Sequence, residues 1–85
     1  MSKEDIFKLI IQHCCNLIPE LADQNIQRSD RFKDIGVNSL DRAEIMEMMM
    51  EDLSLACSRV EVFGAKNIGE LVDIFYEKSL SEVEG

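Results

Sequence analysis

The stretch Gly36-Val37-Asn38-Ser39-Leu40-Asp41-Arg42-Ala43-Glu44-Ile45-Met46-Glu47-Met48-Met49-Met50-Glu51-Asp52-Leu53 decides how this chain folds. A loop containing one glycine runs into a segment free of glycine and proline. On a helical wheel of about 100° per residue, Met46, Met49 and Leu53 fall within roughly 100° of Ile45. Glu44, Glu47 and Glu51 fall on the opposite side, with Met48 and Asp41 at its edge. One apolar stripe opposite one acidic stripe predicts an amphipathic helix over 39–53, with Ser39 as its N-cap.

Capping signals mark three further helices. Ser2 precedes Asp5, and then Ile6, Phe7, Ile10, Ile11, Cys14, Leu17 and Ile18 recur at spacings of three and four, so a helix is expected over 3–17. Pro19 helps to end it. Ser58 followed by Glu61 opens a very short helix at 59–63, stopped by Gly64. Asn67 followed by Glu70 opens the last, over 68–78, with Ile68, Leu71, Val72, Ile74 and Phe75 as its apolar positions. Residues 19–38 show no sustained period, but Leu21, Ile26, Phe32, Ile35 and Val37 can reach a core. They predict a long ordered loop with a short helical turn near 30–34, since loops of this length are usually either functional or disordered. The fold class is all-α, a four-helix bundle of three main helices and one short one, with a long connection after the first. Residues 1–85 read as a single domain, ordered over about 3–79, with 80–85 as a frayed tail.

Composition narrows the function. The chain has 85 residues, 17 acidic against 9 basic, and a formal charge of −8. Residues 1–42 carry 6 basic and 7 acidic side chains, residues 43–85 carry 3 and 10, so the acidity belongs to the second half. Nucleic acid and anionic membrane surfaces are disfavoured, and basic protein partners are favoured. No stretch approaches the ~18–20 apolar residues of a membrane span, and no secretory signal is legible. Cys14, Cys15 and Cys57 are odd in number and two are adjacent, so a reducing cytoplasm with free thiols is expected rather than a disulfide scaffold. Adjacent cysteines lack metal-ligand spacing, and Asp30, Asp34 and Asp41 do not fit a calcium loop, so no metal site is expected. A monomer is expected.

The segment before the second helix is where chemistry can sit. At the helix start the Ser39 hydroxyl can lie beyond the end of the bundle. Unpaired N–H groups and the positive end of the helix dipole would favour an anion attached there by about 0.3–1 kcal/mol. Gly36 lets the backbone turn and leaves room for an enzyme to approach. Serine is also a common helix cap, which needs no function at all. A catalytic nucleophile would need a base, but His13, on the first helix, is the sole histidine and no Gly-x-Ser-x-Gly elbow surrounds Ser39.

Gly36-Val37-Asn38-Ser39-Leu40-Asp41, with the preceding Phe32-x-Asp34-Ile35-Gly36, resembles the Gly-x-Asp-Ser-Leu signature of acyl carrier proteins. The resemblance extends to the helix order and covers about residues 3–79. It implies that the chain is a carrier rather than an enzyme. Ser39 would bear 4′-phosphopantetheine, transferred from coenzyme A by a phosphopantetheinyl transferase with magnesium, and the arm's thiol would hold acyl groups as thioesters. Leu40, Asp41, Glu44, Glu47, Met48 and Glu51 would form the face shown to basic patches on partner enzymes.

Three departures separate the chain from fatty-acid carriers: Asn38 where Asp is usual, Arg42 interrupting the acidic run, and the methionines of the second helix. Gly-Val-Asn-Ser-Leu-Asp-Arg-Ala-Glu is similar to the discrete carriers of bacterial polyketide pathways, in particular those of β-branching cassettes. That similarity implies ketosynthase, acyltransferase or 3-hydroxy-3-methylglutaryl synthase-like partners. A fatty-acid or peptidyl carrier is the alternative within the family. An acidic helical interaction module without a prosthetic group, binding a basic helix, is the alternative outside it.

Overall fold

The computed structural model describes residues 2–55 and 62–84, with side chains as far as Leu80. Three long helices account for most of it: α1 (Lys3–Leu17), α2 (Ser39–Asp52) and α3 (Ile68–Glu84). Among the described residues there is no strand. No described helix is long and apolar enough to cross a membrane.

α1 begins and ends where its sequence predicts. The Ser2 hydroxyl accepts from the Asp5 N–H, and Asp5 accepts from the Ser2 N–H, so the shorter acid still closes the box. These two bonds hold the Asp5 carboxyl below its ordinary pKa. Ile6, Ile10 and Cys14 are fully buried along one stripe, where α1 packs on both α2 and α3. Burial pushes the Cys14 thiol up to about 12, with a smaller contribution from Cys15, which marks it as a core group rather than a reactive one.

The long connection is ordered by its apolar anchors, as expected. Leu21, Phe32 and Val37 are buried, while Ile26 and Ile35 are half-buried. Pro19–Asp23 forms a 3-10 turn that the sequence pattern did not indicate, with Pro19 in its first position, where a missing N–H costs nothing. The expected turn near 30–34 lies at 31–36 and closes in a Schellman pattern. The Gly36 N–H donates to the Lys33 carbonyl and the Val37 N–H to the Phe32 carbonyl, with Gly36 at φ +93°. Phe32 and Val37, the two ends of that closure, are both buried. α2 closes the same way: Ser54 donates to Glu51 and Leu55 to Met50, with Ser54 at φ +54°.

The connection also ties down α3. The Ile68 N–H donates to the Asp30 carbonyl and the Gly69 N–H to the Arg28 carbonyl, so the loop satisfies donors that a helix start leaves open. A side chain at Gly69 would crowd that carbonyl at 3.2 Å. The Asn67 side chain accepts from Glu70 as expected, while the Glu70 carboxylate accepts from Lys66 rather than from Asn67.

Two expectations are corrected. α3 does not stop at 78: its backbone stays helical to Glu84. No glycine or proline interrupts the segment before Gly85, and the Ser79 hydroxyl bonds back to the Tyr76 carbonyl within the helix. The N-cap of α2 is Asn38, one residue before the expected Ser39. Most of the short helix expected at 59–63, with its Ser58–Glu61 box, and Cys57 lie outside the described residues; Val62 and Phe63 are helical and are followed by a turn at Gly64.

Candidate functional site

The site is built by the order of events along 31–42. The turn that closes at Gly36 buries Val37 against the core and delivers Asn38 in an extended conformation. The Asn38 Oδ1 then accepts from the Asp41 N–H at 2.9 Å. Asn38 therefore does the capping, and Ser39 is the first residue within the helix. Its hydroxyl is exposed and makes no hydrogen bond among the described residues. The reading of Ser39 as a mere cap is thereby removed.

The signal for this was present in the sequence. Asn38 and Asp41 have the cap-to-N3 spacing of Ser2 and Asp5, whereas the residue three beyond Ser39 is Arg42, which carries no acceptor to complete a box.

Around Ser39 the surface is open. Leu40 is 78% exposed, an unusual position for a leucine. Nothing lies within 4 Å of the place where a Cβ on Gly36 would stand. Glu44, Glu47 and Glu51 are exposed along α2, Asp41 and Met48 are half-buried, and Ile45, Met46 and Met49 are buried on the far side. The two stripes of the helical wheel are thus both present. An open groove lined by Phe7, Ile11 and Ile26 lies between α1 and the long connection, and shares no residue with this site.

Other candidate groups are occupied elsewhere. His13 Nε2 lies 2.6 Å from Asp52 Oδ2, joining α1 to the last turn of α2. Asp52 is thirteen residues from Ser39, about 20 Å at the helical rise, so no histidine base is near the serine. Asp30 accepts from the Gln27 N–H in a local turn. Lys3 pairs with Asp73 and lies over the Tyr76 ring, and Arg28 pairs with Glu4 and lies over the Phe7 ring. These exposed pairs are worth at most about 1 kcal/mol each, but they spend two of the chain's cations against its own framework. Among the described residues no group of histidine, cysteine and carboxylate side chains could hold a metal ion.

Arg42 is the residue whose place the sequence did not reveal. It does not interrupt an exposed acidic run. Its guanidinium lies over the Phe63 ring at 5.0 Å, and its Nε is buried without a partner. An unpaired buried donor costs about 1–3 kcal/mol.

Comparison with known proteins agrees with this geometry. The profile of the phosphopantetheine attachment site family matches residues 9–75. The chain is 44% identical over 78 residues to the polyketide biosynthesis acyl-carrier-protein AcpK of Bacillus subtilis, covering 92% of this chain and 95% of that protein. It also superposes, with a TM-score of 0.85 and 49% identity, on a chain from the crystal structure of the curacin biosynthetic pathway HMG synthase in complex with acetyl donor-ACP. That match covers 92% of this chain and 100% of the other.

Proposed function

Since the chain belongs to the phosphopantetheine attachment site family, we propose that it is an acyl carrier of a polyketide pathway, with its arm on Ser39. The observation that carries the assignment is the division of labour at the start of α2. Asn38 caps the helix, and Ser39 is left with an exposed hydroxyl free of any structural duty.

The residues present fit such an arm. Ser39 Oγ has no partner to displace, and the open space over Gly36 leaves room for a transferring enzyme. In loading, the Ser39 oxygen forms the phosphoester bond to the pantetheine phosphate of coenzyme A and loses its proton; adenosine 3′,5′-bisphosphate leaves. No histidine of this chain is near enough to take the proton. Once attached, the arm supplies a terminal thiol that holds an acyl group as a thioester. The chain itself is a carrier and not a catalyst.

The partner surface proposed for this carrier is the exposed side of α2 with its first turn: Leu40, Asp41, Glu44, Glu47, Met48 and Glu51. Leu40 offers an apolar contact beside the attachment point and the carboxylates offer steering toward a basic surface, which suits fast, salt-sensitive docking. Likeness to AcpK and to the acetyl donor carrier of the curacin complex supports a β-branching role, with an HMG synthase-like enzyme among the partners.

The test is intact mass after incubation with coenzyme A, magnesium and a broad-specificity phosphopantetheinyl transferase, followed by fragmentation. One phosphopantetheine on Ser39 is expected. Ser39→Ala should abolish loading and leave the helical spectrum unchanged. A variant that still takes the arm would overturn the site assignment.

A further inference from the structure

Arg42 occupies an unusual position for a cation in so acidic a chain. Among the described residues it forms no ion pair, although Asp41 and Glu44 are close in sequence. Helical geometry explains this. The neighbours on its own face lie three and four residues away, and they are Asn38, Ser39, Ile45 and Met46, none of them charged. The carboxylates of Glu44, Glu47 and Glu51 lie on another face, open to solvent.

The guanidinium is held, not free. Its Cζ lies 5.0 Å from the centre of the Phe63 ring, and its Nε is shut off from water without an acceptor. Side chains on a helix lean toward its N-terminus, so Arg42 covers the turn that contains Ser39. β-Carbons three residues apart on a helix stand about 5–6 Å from each other, within reach of an arginine. A single structural account, a pin between α2 and the segment at 62–63, would explain the ring contact. It would leave without a role the rest of the guanidinium, which belongs to the residue three beyond Ser39 and forms no ion pair among the described residues.

We propose that Arg42, stacked on Phe63, is a subsite for the phosphodiester that joins the arm to Ser39. The inference rests on Ser39 being the attachment residue. The phosphodiester would meet the terminal guanidinium nitrogens, since the Nε is shut off, and would bring a negative charge to a residue whose neighbours three and four positions away carry none. Asn38 contributes by being uncharged: an acid at the cap would add a competing carboxylate beside the phosphate. The arm's root is thereby held against the first turn of α2, while its thiol end remains free to swing.

The test compares wild type, Arg42→Gln and Arg42→Lys, each with and without the arm, loading confirmed by mass and located by fragmentation. Two readouts are taken: the change in Tm on attachment, and the phosphorus-31 resonance of the phosphodiester. In wild type, attachment should raise Tm by roughly 2–5 °C, and the resonance should differ from that of the same protein unfolded in urea. In Arg42→Gln the gain should vanish and the resonance should move to its unfolded position. Arg42→Lys, which keeps the charge and loses the planar stack, should retain part of both effects and serves as the folded comparison if the glutamine variant is unstable. An arm-dependent Tm change and a resonance that are the same in wild type and both variants would overturn this subsite alone. An arm located away from Ser39 would overturn the attachment reading as well.

Discussion

The chain makes the same backbone closure twice, once just before α2 and once just after it. In both, one N–H reaches back five residues and the preceding N–H reaches back three, and an apolar residue follows the residue of positive φ. Before α2 that residue is Gly36 at φ +93°; after α2 it is Ser54 at φ +54°. The hydrogen bonds are equivalent, so the difference lies in what each backbone angle demands. A φ near +54° lies in the left-handed well that an ordinary residue can enter at a cost of about 1–2 kcal/mol. A φ of +93° lies outside that narrow well, where a β-carbon is more strongly disfavoured. The closure that leads into Ser39 thus requires glycine, whereas the one that merely ends the helix tolerates serine.

Substitutions can break this comparison in a graded way. The largest effect is expected from Phe32→Ala, because Phe32 is 5% exposed and both bonds of the first closure depend on its turn. Removing a buried phenyl ring should cost about 3–5 kcal/mol in urea unfolding. Met50→Ala, at the matching position of the second closure and only half-buried, should cost less. An equal cost for the two would show that the closures are not distinguished by burial.

Gly36→Ala comes next. With nothing within 4 Å of the added carbon, a steric clash is absent and the loss is conformational, above the ~1–2 kcal/mol of the left-handed well and about 2–3 kcal/mol. It should also slow loading of Ser39 by moving the start of α2, measured as the rate of mass gain. Unchanged stability would mean that the backbone there adapts and that glycine is not required.

Ser54→Gly should act in the opposite direction, adding about 0.5–1 kcal/mol by relieving the left-handed cost at a position without a glycine. It should leave the loading rate unchanged, since Ser54 lies beyond the far end of α2. A loss of stability would indicate that unfolded-chain entropy outweighs the relief.

The site was legible in the sequence to different depths. The motif around Ser39 stood out, and the two stripes of α2 could be placed from spacing alone, because exposure along one helix follows from its period. Which of two adjacent cap-forming residues does the capping was a closer matter. Asn38 and Ser39 are both good caps, and the choice falls to Asn38 because the turn at 31–36 ends there in extended backbone. The role of Arg42 was not legible at all. Its neighbour Phe63 lies twenty-one residues away in the chain, and no local pattern brings the two together.

By itself the sequence determined the class of the fold, the starts of its three long helices, the faces they bury and the serine that stands out. Those follow from local hydrogen bonding at caps and from helical periodicity, which act within a few residues. Only the tertiary structure decided how the long connection caps α3 through the carbonyls of Arg28 and Asp30, how His13 meets Asp52, and where Arg42 comes to rest. Each of these joins residues far apart in sequence. Each contact is decided by how the buried faces settle against one another, which no window along the chain contains.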